Sequence, residues 1–312
     1  PIRGLIDPDT PKEAYTKKVA TDGTDWELVF SDEFEKEGRT FWPGDDPFWE
    51  GGNFYYKATF DYEWYTPEAM VTKDGKLFIT MDQYNEHNTH FRSGMLQSWN
   101  KFCYTGGLLI ASIQMPGDPE AGGLWPAFWI MGNLGRAGYG ASLQGTWPYS
   151  YDQCDVGTVI NQTLYNGTDG GPWPENNTKG GDVGFNTKHH TRSLSFLPGQ
   201  KLSACTCPGD DHPGPSPDVG RAAPEIDVFE GQVSGDDDFR YGQVSQSFQM
   251  APFNWQYNIT WQYGKKASYH FFDNKTGTLL NPYTGEYTQQ AMSGAHMTNQ
   301  GAYQYSANDT DT

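Results

Sequence analysis

Glu225-Ile-Asp-Val-Phe-Glu230 sets three acids within six residues of an apolar frame. It follows a turn-prone stretch, Asp218 to Pro224. Side chains of an extended strand alternate between faces, so Glu225 and Asp227 share one. Glu230 falls on the other face of a regular strand. A β-bulge that adds one residue returns it to the shared face. Ile226, Val228 and Phe229 are strand formers. Strand spacing can then hold two of the carboxyls roughly 5–6 Å apart. At that separation one can attack a sugar carbon while the other protonates the leaving oxygen.

The chain carries 39 Asp plus Glu in 312 residues. At that density three acids at this spacing arise by chance on the order of once per chain, and a solvated strand face reads alike. The setting separates the two cases. Like charges along one sheet face repel and cost stability. A cluster among strand formers therefore points to chemistry rather than to decoration.

Only 21 Lys plus Arg oppose the acids, for a formal net charge of −18. That balance opposes nucleic acid and anionic membrane as partners and suits a neutral substrate. The 11 Trp, 19 Tyr and 18 Phe serve a β-rich core. Trp and Tyr can also stack on the flat faces of sugars. Six Asn-x-Thr sequons, at Asn161, Asn166, Asn176, Asn258, Asn274 and Asn308, exceed the about two that composition gives. The excess implies a place in the secretory lumen, at the cell surface or outside the cell, with any membrane anchor lying outside this chain. Four cysteines fit that oxidising setting. Cys205 and Cys207 are too close to pair without strain, so each would bridge to Cys103 or Cys154. The alternatives are one bridge with two free thiols, or zinc with His212. Zinc is disfavoured because no second ligand pair stands at metal spacing. No other cofactor motif is present. No apolar run reaches membrane-spanning length and no leader is visible. A start at Pro1 reads as a segment of a longer precursor.

Residues 1–24 are polar and turn-rich and read as an N-terminal arm. Residues 25–312 read as one catalytic-type domain. Strand-like runs recur at Trp26 to Phe30, Lys76 to Met81, Gly107 to Gln114, Ala127 to Met131, Ile226 to Phe229, Gln243 to Met250 and Ser268 to Phe272. Gly, Pro, Asp and Asn separate them, and no segment has a helical period. Many short strands with frequent turns predict an all-β sandwich or jelly roll. From about Gly135 to Asp218 the chain is rich in Gly, Pro, Asn, Asp and Ser. A loop of that length in a compact domain is functional or disordered. Its three cysteines could pin it, with Trp147, Tyr149 and Tyr151 facing a cleft.

Several stretches converge on one family. Phe30-Ser-Asp-Glu-Phe34, Tyr104-Thr-Gly-Gly107, Gly123-Leu-Trp-Pro-Ala-Phe-Trp129 and Glu225 to Glu230 resemble landmarks of glycoside hydrolase family 16. More narrowly, the chain resembles its fungal β-glucan synthesis-associated subgroup, the Skn1/Kre6 type. Phe41 to Trp49, Glu63-Trp-Tyr65, Phe91 to Phe102, Gly132 to Gly140, Trp147 to Asp152 and Val244 to Phe248 carry that likeness.

The resemblance implies a concanavalin-like β-jelly roll of two antiparallel sheets with a glycan cleft. It casts Glu225 as nucleophile, Glu230 as acid/base and Asp227 as their electrostatic helper. Two neighbouring carboxyls cannot both ionise cheaply, so one pKa rises and that group can donate a proton. Trp125 and Trp129, four apart, share a face of a regular strand. They serve either as cleft platforms or as core. Arg92, Gln97, Trp99 and Asn100 are further candidate sugar contacts, though Arg92 suits a surface ion pair equally. Many members of the family carry a His on the strand after the catalytic one. Here that region reads Ser245-Gln-Ser-Phe-Gln249, so a Ser or Gln must take over its contact. Relatives of the subgroup continue with further strands beyond the position of Thr312. The expected activity is a retaining endo-acting hydrolase or transglycosylase on β-1,3- or β-1,6-linked glucan, in fungal wall assembly. The alternative is a lectin-like glucan-binding module without turnover, which would not need the three acids intact.

Overall fold

A computed structural model of the 312-residue chain describes residues 4–19, 22–132, 135–139, 147, 209, 216–218, 223–235, 240–250, 278–280 and 290–298. The chain is all-β. Its described elements are strands and three short 3-10 turns, with antiparallel pairing predominant. Contacts divide it into two compact units, Pro1–Leu108 and Leu109–Thr312.

The first unit is made of paired short strands. Strands β1 (Thr16–Lys18) and β2 (Asp25–Glu27) are antiparallel. Strand β3 (Glu50–Gly51) pairs with β8 (Leu96–Gln97). Strand β4 (Glu63–Tyr65) runs parallel to β7 (Phe91–Ser93), the one departure from antiparallel order among the described strands. Strands β5 (Met70–Lys73) and β6 (Lys76–Ile79) form a hairpin closed by Asp74-Gly75. Both turn residues have positive φ, 52° and 68°. That is the geometry for which Asp-Gly is favoured in two-residue hairpin loops. Along β5 the burial alternates, so Met70 and Thr72 point inward. The expected arm boundary at residue 24 is crossed by hydrogen bonds. Asp7 is buried, its N–H donates to Ser31 Oγ at 2.9 Å, and its carboxylate accepts from Glu33 N at 3.1 Å.

Phe30, Phe48, Trp49 and Phe102 form an aromatic cluster in this unit, with Phe30 stacked on Phe102 at 4.3 Å. Beside it lies a buried ion network. Arg39 donates to both oxygens of Asp32, at 2.8 and 2.9 Å, and to Asp46 Oδ2 at 2.7 Å. Trp49 Nε1 completes Asp32 at 2.8 Å, and Asp46 Oδ1 caps the amides of Phe48 and Trp49. Burial works to lower the Arg39 pKa, but bonding to Asp32 and then Asp46 carries it above its ordinary value. Removing the cation strands two buried carboxylates. Arg39→Ala is therefore expected to destabilise folding by about 3–5 kcal/mol in a denaturant titration. A loss under about 1 kcal/mol would mean that water reaches both acids.

The second unit is organised by one five-stranded antiparallel sheet. Its strands are β9 (Ala127–Met131), β10 (Glu225–Gly235), β11 (Arg240–Met250), β12 (Thr278–Leu280) and β13 (Gln290–Met297). Their order is β12-β13-β11-β10-β9. The expected strands at Ala127 to Met131, Ile226 to Phe229 and Gln243 to Met250 are present, the last two within longer elements. The expected strand at Gly107 to Gln114 is not formed. Leu108, Leu109, Ile110 and Ile113 are exposed there, and the segment has no ladder partner among the described residues. Alternating apolar character does not make a strand without a neighbour to satisfy its backbone. Ser268 to Phe272, most of the 135–218 loop, all six sequons and Cys154, Cys205 and Cys207 lie outside the described residues. Cys103 is an exposed free thiol, so the pairings that use it are not realised in this structure.

Candidate active site

The bulge expected from the acid spacing is present. Against β11, Asp227 pairs with Ser247 and Glu230 with Ser245, so three steps on β10 oppose two on its neighbour. Against β9, Asp227 pairs with Trp129 and Phe229 with Phe128, two steps opposing one. One extra residue is thus absorbed between Asp227 and Glu230. The consequence is visible in the partners. Glu225, Asp227 and Glu230 face Gln249, Ser247 and Ser245 on one side and Met131, Trp129 and Ala127 on the other. Each partner set steps by two, so all three acids occupy one face of the sheet.

That face is lined by small and polar side chains. The row continues from Ser245, Ser247 and Gln249 on β11 to Ala295, Ser293 and Ala291 on β13, all buried. Small residues leave room above the acids and supply hydroxyl donors to them. Asp227, 2 % exposed, is held by Ser247 Oγ at 2.6 Å and Gln249 Nε2 at 3.1 Å. Ser247 and Gln249 also bond to each other at 3.3 Å. These two residues take the place that the sequence left open between a Ser and a Gln. Gln246 points to the other side, donating to the Val228 carbonyl at 3.0 Å.

Trp147, from the long insertion, reaches the same row. Its indole N–H donates to Glu225 Oε2 at 2.8 Å. Tyr149 and Tyr151 lie outside the described residues. Trp129 is half-buried opposite Asp227, and Trp125 is 56 % exposed just before β9. The Trp125 side chain lies near enough to Glu230 to hold its pKa back. Both predicted tryptophans therefore sit beside the acids, and neither is buried core. The other candidates belong to the first unit. Arg92 is engaged in a two-point ion pair with Asp82, at 2.8 and 3.0 Å, and lies over the Tyr84 ring. Gln97 carries a buried Nε2 without an acceptor. Trp99 and Asn100 are exposed, and Asn100 has a left-handed backbone.

The electrostatics follow from crowding. Burial, then the charge and hydrogen bond of Asp227, then the charge of Glu230, push Glu225 up to about 9, although Trp147 works against it. Burial and then Asp227 raise Glu230 to about 7, with Trp125 and Ser247 holding it back. Asp227 Oδ1 and Gln249 Oε1 are buried acceptors without a donor.

Raised folded-state values set a pH dependence. The folded protein holds these protons more tightly than the unfolded chain does. The resulting stability is fully present below the ordinary carboxylate value. It is lost as pH rises through about 7 and then about 9. Glu225→Gln removes the upper step. Between pH 7 and 9 the parent's melting temperature is expected to fall, and that of the variant to fall less. The difference corresponds to roughly 1 kcal/mol per pH unit. Parallel profiles would show that Glu225 does not hold the proton.

A family model described as beta-glucan synthesis-associated protein SKN1/KRE6/Sbg1 matches residues 1–311. The chain is 46 % identical over 303 residues to the beta-glucan synthesis-associated protein KRE6 of Saccharomyces cerevisiae, covering 96 % of this chain and 37 % of that protein. It is 45 % identical to SKN1 of the same yeast, covering 96 % and 34 %. It is also 45 % identical to KRE6 of Candida albicans, covering 97 % and 37 %. The chain spans about a third of the length of these relatives. No solved structure matches it.

Proposed function

The chain belongs to the SKN1/KRE6/Sbg1 family, and on that premise we propose that it is a retaining glycosidase or transglycosylase of the family 16 kind, acting within β-linked glucan in fungal cell-wall synthesis. The observation that carries this reading is the one-residue bulge that brings Glu225, Asp227 and Glu230 onto one face beside Trp125, Trp129 and Trp147. A binding module needs no such row. Three carboxyls crowded along one face, one buried and two half-buried, repel one another and cost stability, which function explains better than structure does. On the same reading the sheets close into a jelly roll, and the insertion contributes a wall of the glucan cleft.

In the first step the Glu225 carboxylate attacks the anomeric carbon. Glu230 gives its proton to the glycosidic oxygen, the carbon–oxygen bond breaks, and a glycosyl ester remains on Glu225. Glu225 attacks as the carboxylate, so the proton that crowding holds on it must leave before the step begins. Trp147 then stabilises the ionised nucleophile through its N–H. Glu230, near 7, is divided between acid and base at neutral pH, which suits a group that donates in one step and accepts in the next. In the second step it takes a proton from water or from a sugar hydroxyl, whose oxygen attacks the anomeric carbon and releases Glu225.

The deciding experiment is incubation with β-1,3-, β-1,6- and mixed-linkage gluco-oligosaccharides, with products identified by mass. Shorter products mean hydrolysis, and products longer than the donor mean transfer. Recovery of every oligosaccharide unchanged would leave the binding module as the function.

A further inference from the structure

A second feature of the first unit is made of residues that take no part in the acid row. Residues 82–92 form a projecting hairpin, paired at Asp82 with Arg92, at Tyr84 with His90 and at Glu86 with Thr89. Its tip is His87-Asn88, both left-handed, with φ of 47° and 68°. Two-residue loops of this kind demand positive φ at both positions, and without Gly each costs on the order of 1–3 kcal/mol. The tip is nonetheless fixed. The His87 ring stacks on Trp64 at 4.0 Å, and the Trp64 indole N–H is anchored on Asn53 Oδ1 at 2.8 Å.

Between this tip and the segment before β4 lies an open depression of about 480 Å³. That volume is within the range of small-ligand sites, roughly 300–1,000 Å³. Tyr55, Asp61, Tyr62, His87, Asn88 and Thr89 line it. Tyr62 is 79 % exposed, so its ring contributes little to the core. Asp61 is pre-positioned. One oxygen accepts from the Thr59 hydroxyl at 2.6 Å and the other from the Tyr65 hydroxyl at 2.8 Å. Each oxygen keeps a lone pair for a further donor. No Lys or Arg is among its lining residues, and the Asp61 carboxylate opposes an anion, so the lining disfavours a phosphate or a nucleic acid. Aromatic faces combined with a fixed carboxylate that has lone pairs to spare suit a neutral, polyhydroxylated chain. Its C–H faces can rest on the rings while its hydroxyls reach Asp61 and Asn88.

We propose that this depression binds a segment of saccharide chain, holding substrate or product at a place where no bond is broken. That the saccharide is β-glucan rests on the proposed function; that it is a neutral saccharide rests on the lining. Retention on insoluble β-glucan tests it, with Glu225→Gln as the background so that turnover cannot release the protein. Soluble gluco-oligosaccharide and a lysine-rich peptide serve as competitors. Tyr62→Ala is expected to weaken retention roughly five- to tenfold, Tyr62→Phe to restore it, and both to melt with the background protein. Oligosaccharide should compete and the basic peptide should not. The proposal is overturned by retention that ignores Tyr62→Ala, by competition from the peptide alone, or by absence of retention. Its failure is separable from that of the proposed function. Turnover by the parent protein with Tyr62-independent retention of the background sinks only this inference, and Tyr62-dependent retention with no turnover by the parent sinks only the catalysis.

Discussion

Glu225→Gln is expected to abolish turnover of β-glucan while leaving the folded protein intact. The amide keeps the size of the carboxyl and can still meet the Trp147 N–H through its oxygen. It cannot form the glycosyl ester, so the covalent route closes. Removing a group that forms the intermediate costs on the order of 10³-fold or more in kcat. Glucan binding should survive, because the surrounding tryptophans and the Ser247–Gln249 pair are untouched. The measurement is kcat on the best gluco-oligosaccharide, with product mass as readout and melting temperature at pH 6 as the control for folding. Activity within tenfold of the parent would remove Glu225 from the role of nucleophile. Relief of charge repulsion gives a second readout. Because crowding holds the Glu225 proton up to about 9, the variant should lose less stability than the parent as pH rises above neutral, even as it loses activity.

The acid row was legible because its spacing is local. Three acids, the strand formers between them and the need for one extra residue can all be read from Glu225 to Glu230 without knowing the rest of the fold. The register then places neighbours that local reading leaves open. That Ser247 and Gln249 both hold Asp227, with Gln246 turned away, depends on how β11 is shifted against a bulged β10. Trp147 lies 78 positions from Glu225, so no periodicity joins them, and only its place in a long insertion hinted at a cleft. Gly107 to Gln114 failed for the opposite reason. Its apolar residues have strand propensity, but a strand is made by its partner, and propensity alone does not supply one. Arg39 gave no signal at all. An isolated Arg among polar residues is indistinguishable in sequence from a solvated one until Asp32 and Asp46 are seen to close on it. The depression at the tip of the 82–92 hairpin was likewise hidden, since His87-Asn88 reads as an ordinary polar loop.

Glu230→Ala should separate substrates by their leaving groups. A glucan alkoxide needs a proton as the bond breaks, and Glu230, near 7, is the group positioned to give it. A nitrophenolate leaves without one. Loss of the acid is expected to slow natural glucan by about 10²–10⁴-fold and an aryl glucoside far less in its first step. The second step then becomes limiting for the aryl substrate, because no base remains to activate water. Azide needs no deprotonation, so it should restore aryl turnover and yield a glycosyl azide of retained configuration. The bulge makes this outcome specific to Glu230. Asp227 is buried and committed to Ser247 and Gln249, and Glu225 carries the sugar, so no other carboxyl in the row can substitute. Equal losses on both substrates, or no response to azide, would assign Glu230 to positioning instead. Recovery of a glycosyl azide would at once establish the covalent intermediate and the side of the sugar from which the second step comes.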